Sequence, residues 1–447
     1  MTIQDGGSID NRTSAQRRLL SPGQGNGVFD TDLNQMVYGD GSNWNITYPI
    51  ADPDLEAQPT LEYVQLKLRD IQKRNVNTGF GVVQYAHGAT ADDRGYSGAV
   101  YSPELKRIYM CPYNQGDNAS WHYIDCVTGS VVAYDDPTTA MGSAAFSGGA
   151  YSPELKRIYF SPDAQGNDTY WAYIDCKTGV ATAYEHGTGC IYSGACYGAV
   201  HSPTQGRIYL IPSAMSSAAS WYYVDCSDGS IDSYAHGYGA GGISSLAFRG
   251  GCYDPHNNII WLVPYAISDQ TNWYRIDCSD GSVDQYAHGT GLSTGSAFNG
   301  AVYDPINNYV WLVPYGISDE STWYYIDCAD KTVNSYAHGL GSIDNAGFVG
   351  GVYDPVLNRV WLSPYTTGDE STWYYIDCHT KAAVSYSNGV TAVSGAYMTP
   401  VFDPMNNRMY LIPHFQADET NWHYIQVYAN ECVSSQLMSH TMFNQSI

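Results

Sequence analysis

The chain has 447 residues, with 44 Asp and Glu against 20 Lys and Arg, a formal net charge of −24. Such acidity excludes nucleic-acid backbones as partners unless a strong basic patch exists, and the densest cluster, Lys67, Arg69, Lys73 and Arg74, is too small to make one. Aromatic content of 14% beside 14% charged residues excludes a disordered chain, and no apolar run approaches the roughly eighteen residues that a membrane helix needs.

In chain order, residues 1–25 are polar and Gly-rich and read as an extended arm. The opening MTIQDGGSID lacks the basic and apolar regions of a secretory signal, so assembly in a cytoplasm is expected. The stretch Gly27-Val-Phe-Asp-Thr-Asp-Leu-Asn-Gln-Met-Val-Tyr-Gly-Asp-Gly-Ser-Asn-Trp44 reads as a short strand, an Asp-containing turn, a second strand and a Gly-Asp-Gly turn. Over these roughly 20 residues it resembles a segment common near the N-terminus of tailed-phage fibre and other virion appendage proteins. The resemblance implies a virion-anchoring module over residues 1–57, docked on other virion proteins.

Residues 58–78 read as a helical neck. Thr60 is a candidate N-cap, and Leu61, Val64, Leu68 and Ile71 are spaced 3, 4 and 3 apart, an a/d pattern. Two readings stay open. The stripe either oligomerises the chain, with a trimer favoured, or packs the helix on the side of the next domain.

Seven copies of a repeat follow. GAVYSPELKRIYMCPY at 98–113 returns six times, for instance as GAVYDPINNYVWLVPY and GGVYDPVLNRVWLSPY. Each copy leads to a Trp, at 121, 171, 221, 273, 323, 373 and 422, so the period is 49 to 52 residues. One unit gives four strands: Gly300–Tyr303, then the turn Asp304 to Asn308, then Tyr309–Pro314, Trp323–Cys328 and Thr332–Tyr336. Four strands per repeat predict an all-β fold, a seven-bladed β-propeller over residues 79–430; a solenoid is the competitor. The ends of the array decide for a ring. The seventh copy lacks a fourth strand after Trp422, whereas Gly81-Val-Val-Gln-Tyr-Ala-His-Gly88, ahead of the first copy, matches Ser282–Gly289. The 81–86 strand is therefore expected to close the ring from the N-terminal side. Residues 431–447 are a C-terminal tail.

Several residue types invite chemistry. Cysteines 126, 176, 226, 278, 328 and 378 hold one position in six blades and read as small buried groups within their own sheets; Cys190 and Cys196 are close enough to pair or to share a metal. The Asp before each repeated Cys reads as an acceptor for backbone N–H groups in its own turn. His87, His186, His236, His288 and His338 recur in Tyr-Ala-His-Gly segments. A ring of imidazoles points to a metal, but these follow the outermost strand, too far apart to converge, and bonds to neighbouring loops are the competing reading.

The loops before the Trp residues carry the candidate binding acids Asp269, Asp319, Glu320, Asp369, Glu370, Asp418 and Glu419. Carboxylates beside Ser, Thr and Trp suit sugar hydroxyls, and the same oxygens leave calcium open as the one cofactor the pattern admits. Solvated turns whose acids cap local N–H groups are the plainer reading. No nucleophile elbow, phosphate loop or zinc-helix motif is present, and the strong similarity between blades favours binding or architecture, because catalysis usually needs one pocket that breaks the symmetry. Arm, helix and propeller in that order are the layout of a virion fibre, and the expected function is a receptor-binding appendage that contacts a host-surface glycan or protein. The alternatives are an architectural capsid or tail decoration, and a polysaccharide depolymerase or lyase. The lyase would need blade-specific acids, Tyr or His in the central groove, unlike their counterparts.

Overall fold

Alternating apolar residues bounded by Asp-Pro or Ser-Pro turns drive each repeat into short antiparallel strands, and a computed structural model of the protein shows how these associate. It describes residues 2–3, 11–12, 27–30, 35–39, 44–46, 61–74, 78–137, 141–190, 192–341 and 343–429. The chain divides into two compact units, Met1–Thr60 and Leu61–Ile447.

In the first unit, Gly27–Asp30 and Gln35–Gly39 pair antiparallel, Val28 opposite Val37, which is the hairpin expected from the sequence. Trp44–Ile46 adds a third strand beside Gln35–Gly39, and Thr2–Ile3 and Asn11–Arg12 both pair with Gly27–Asp30. The Gly-Asp-Gly turn, most of the predicted arm and the 431–447 tail lie outside the described residues.

The second unit is a propeller of seven four-stranded sheets. We call these blades 1 to 7, spanning residues 96–135, 146–185, 196–235, 248–287, 298–337, 348–387 and 397–428, with strands A to D running outward from the axis. In blade 5 the strands are Phe298–Asp304, Tyr309–Pro314, Thr322–Asp327 and Thr332–Ala337, so strand A begins two residues before the sequence-predicted start. Strand A of each blade lies against strand A of the next, and that of blade 7 lies against that of blade 1. The closing strand is Gly79–Ala86. It forms strand D of blade 7 and pairs with Asn421–Tyr428 from Ala86 opposite Asn421 to Gly79 opposite Tyr428. Closure leaves no terminal blade, since strand A of every blade is flanked by those of two neighbours, and this excludes the solenoid.

The core sits between blades. The seven repeated Trp side chains on strand C are at most 1% exposed. The turns stitch neighbours together. Asn257, Asn307 and Asn406, each in an A–B turn, donate from Nδ2 to the carbonyls of Cys328, Cys378 and Cys126 in the following blade, the last across the ring closure. The repeated thiols join these contacts as well as their own sheets, where Cys176, Cys278 and Cys378 donate to the carbonyls of Ile174, Ile276 and Ile376. Cys328 and Cys378 bond to Asp254 and Asp304 of the preceding blade, and burial first, then the acid, pushes both thiols up. Cys190 and Cys196 do not pair; all ten described cysteines are free and buried.

Helix α1, Leu61–Arg74, lies on the face that carries the A–B turns of blades 5 and 6. Val64 and Leu68 are 1% and 0% exposed, Leu61 and Ile71 pack beside them, and Gln65 and Gln72 bond to Asn308 and to the Pro355 carbonyl. This corrects the neck reading. The a/d stripe is consumed within one chain, because the propeller offers Tyr353 and Val356 as an apolar seat. The large apolar side chain that the helix leaves exposed is Leu66. No described helix is long and apolar enough to cross a membrane.

Candidate functional site

The repeated polar residues are explained by the fold. Five histidines stack on the Trp of their own blade; His186 lies 4.1 Å from Trp171 at 8°, and His288 4.0 Å from Trp273 at 5°. Each Nε2 donates to a carbonyl of the B–C loop, that of Asp168 for His186 at 2.5 Å, of Ala218 for His236 and of Glu320 for His338, both at 2.6 Å. In blade 6 Asn388 makes the same bond to the Glu370 carbonyl with its amide. These rings are therefore dispersed, one per blade. Burial lowers the pKa of His186, His288 and His338, which suits their role as neutral donors. The Asp before each repeated Cys caps its own turn, as Asp125 Oδ1 does for the N–H of Val127 and Thr128.

The seven sequence-predicted acids sit on the loops that receive these histidines and, in blade 6, Asn388. Asp269, Asp319, Glu320, Asp369, Asp418 and Glu419 are exposed and Glu370 is half-buried. They are distributed one loop per blade. Among the described residues, none belongs to a group of three potential metal ligands. The loop's shared contribution is its backbone carbonyl, not its carboxylate.

One group with metal-ligating side chains exists among the described residues: Glu154, His201 and Cys226, whose ligand atoms lie within 4.8 Å of one another. The equivalent positions one blade earlier explain it. There Tyr151 donates to Glu104 Oε1 at 2.5 Å, and Cys176 bonds to Ser102. His201 occupies the tyrosine's place and meets Glu154 at 3.3 Å, so the trio continues an inter-blade bridge.

Symmetry breaks at the axis. A cavity of about 350 Å³ opens there on the face of the B–C loops. Two positions on the blades supply most of its lining. One is the second residue of strand A: Ser97, Ser147, Tyr197, Arg249, Asn299, Val349 and Met398 in blades 1 to 7. The other follows the proline that ends strand B: Tyr113, Asp163, Ser213, Tyr315, Tyr365 and His414, the blade 4 counterpart Tyr265 not reaching the lining, which Arg94, Gly194, Leu246 and Phe415 complete. A bulge fixes the first position. The next residue is Gly in blades 1 to 6, with φ between +73° and +154°, and the strand pairing skips there.

Some of these groups are committed to the fold. Ser97 and Ser147 donate to the carbonyls of Phe146 and Cys196, and His414 Nδ1 donates to the Tyr96 carbonyl at 2.8 Å. That bond leaves His414 Nε2 as a lone-pair acceptor, and burial lowers the imidazole pKa. On the other side of the cavity Tyr197 bonds to Arg249 and to Asn299. The Arg249 guanidinium lies 4.6 Å from the Tyr197 ring and 4.3 Å from the Tyr265 ring. Its Nε and the Asn299 Oδ1 are buried without a hydrogen-bond partner. Burial pushes Asp163 up to about 6, against the lowering pull of Arg249. Val349 and Met398 pack with Tyr197, Tyr315 and Tyr365 into an apolar wall. The arrangement is a concave site with aromatic walls and a few convergent polar groups, the usual form of a small-molecule pocket. Sequence reasoning missed it because these columns vary among the repeats, and that variation was itself the signal.

No protein-family model matches the chain, and no curated protein matches it by sequence. Similar solved structures are propellers. Kuenenia stuttgartiensis hydrazine synthase aligns with TM-score 0.53 at 13% identity, over 78% of this chain and 99% of that one. The extracellular domain of a putative one component system from B. thetaiotaomicron gives 0.52 at 14%, over 77% and 42%. That of a putative hybrid two component system from the same organism gives 0.50 at 10%, over 78% and 42%. At such identities the likeness shows the fold alone, a seven-bladed β-propeller.

Proposed function

We propose that this chain is the recognition head of a virion appendage, a binding protein whose axial cavity takes a host-surface glycan. One observation carries the binding half of this reading. The blades repeat closely everywhere except around the axial cavity, where Arg249, Tyr197, Asn299 and Asp163 have no counterparts of like chemistry at their positions. The appendage half rests on the sequence: the likeness of residues 27–44 to fibre segments, and the order of arm, hairpin, helix and propeller. Residues 1–57 would then dock on other virion proteins. Self-association into a trimer would use a surface other than the Val64 and Leu68 stripe.

A glycan array on the full chain tests the reading. Retained glycans recovered intact, and lost from a Val349→Trp variant that fills the cavity, support it. Binding that survives this filling, or no binding at all, overturns it. A second reading has a specific observation behind it. Asp163, held up to about 6, and neutral His414 are acid–base groups in one cavity. Shortened glycans in the eluate would make the chain a depolymerase or lyase.

A further inference from the structure

Three charged groups line the cavity: the guanidinium groups of Arg94 and Arg249 and the carboxyl of Asp163. Arg249 sits between the rings of Tyr197 and Tyr265, and no carboxylate among the described residues forms an ion pair with it. Its Nε is buried and unpartnered, as is Asn299 Oδ1 on the adjacent blade. An uncompensated buried charge costs several kcal/mol. The two aromatic faces and a hydrogen bond to Tyr197 offset part of that cost and hold the guanidinium in one orientation, but they leave its Nε without a partner.

We infer that the axial cavity selects a sugar carrying a single negative charge, a uronic-acid-type carboxylate held by Arg249. This deepens the axial-recognition reading and rests on it. Charge count favours a monoanion. Arg94 and Arg249 against Asp163 leave one net positive charge on the lining, which one carboxylate balances, whereas a phosphate dianion would leave a net charge in a partly desolvated site. The overall charge of −24 penalises multiply charged ligands further. Geometry favours a carboxylate, because a planar fork matches it with two parallel bonds. The rest of the cavity suits a sugar body. Tyr315 and Tyr365 with Val349 present an apolar face, and Asn299 Oδ1 is an acceptor in search of a hydroxyl. The volume of about 350 Å³ lies within the span of small-molecule sites.

The test is calorimetric titration of the full chain with matched short oligosaccharides. One series carries galacturonic acid, a second the neutral galactose equivalent, and a third a single sulfate ester. Arg249→Lys and Arg249→Met variants are titrated beside the parent. The expected result is that the uronate binds at least about tenfold more tightly than its neutral match, which corresponds to about 1.4 kcal/mol. Arg249→Lys should lose most of that preference, since it keeps the charge and loses the fork, and Arg249→Met all of it. Equal binding of acidic and neutral sugars by the parent overturns the inference but leaves the axial-recognition reading standing. Tighter binding of the sulfate ester overturns the carboxylate assignment. Uronate binding unchanged in both variants removes Arg249 as the anchor. Failure of every series to bind overturns the axial-recognition reading itself. The ligand series on the unaltered parent keeps the question decidable even if a variant folds poorly.

Discussion

His87 stacks on Trp422, with ring centroids 3.9 Å apart and planes 5° from parallel. Its Nε2 donates to the Glu419 carbonyl at 2.5 Å, and its Nδ1 accepts from the N–H of Ala89. The same His–Trp pair is local in blades 2 to 5, yet in blade 7 it joins the two ends of the propeller. Ring closure therefore reuses the repeat's own contact.

Removing residues 1–60 should leave the melting temperature of the propeller unchanged, because the units divide at Thr60. Removing residues 1–88 takes away strand D of blade 7 and the His87 stack, and should lower it sharply. Trp422→Ala should cost about 3–5 kcal/mol, the range for a fully buried Trp. Equal melting of the two truncations would refute closure by this strand.

Leu68 is 0% exposed and Leu66 is 59% exposed on the same helix. Leu68→Ala should destabilise by about 2–5 kcal/mol in urea unfolding, and Leu66→Ala by no more than about 0.5 kcal/mol. The opposite order would return the stripe to solvent and revive the neck.

Burial raises Asp163 from 3.8 to about 6. A raised folded-state pKa means that the carboxyl favours the fold only below its unfolded value, near 3.8, and that this benefit is lost as pH rises through about 6. The shift, 6 − 3.8 = 2.2, corresponds to about 3 kcal/mol as an upper bound. Asp163→Asn should therefore melt higher than the parent at pH 8, with the gap closing below about pH 4. No gap at pH 8 would show that Asp163 is better hydrated than its burial indicates.

His122 and His423 accept from the hydroxyls of Tyr96 and Tyr397 and are held down to about 4 by burial. A depressed folded-state pKa gives stability that is present above the unfolded value, about 6.5, and lost as pH falls through about 4. The melting temperature should fall over that interval, and fall less in a His122→Gln, His423→Gln double variant. The buried Asp304, Asp354 and Asp403, raised by burial, push the other way in both proteins and cancel in the comparison.

All ten described thiols are buried, and burial pushes Cys176, Cys226 and Cys278 up to about 12. At pH 8 a thiol reagent should label no more than one equivalent of native protein within minutes, and all eleven in denaturant. Rapid labelling of several native thiols would contradict the inter-blade placement.

The repeat made much of the fold legible. Trp spacing gave the blade count, and the match of Gly81–Gly88 to Ser282–Gly289 gave the closure. The repeated Asp and His were also readable, because an Asp before a turn and a His after a strand bond locally. The candidate site was harder to read. Acids such as Asp319 and Glu320 drew notice because they recur, but recurrence on a ring places equivalent residues in separate blades. Arg249 and Asp163 recur nowhere in their columns and passed unremarked.

The sequence by itself determined the architecture, because a pattern of period two within a period near 50 admits one economical burial of seven Trp side chains. It also determined which residues cap turns, since such bonds span only two or three positions. Only the tertiary structure decided where α1 spends its apolar stripe, because periodicity names a face and not its partner. It alone decided the cavity, because residues from blades tens of residues apart meet at the axis, where closing the ring brings the second residue of every strand A to one place.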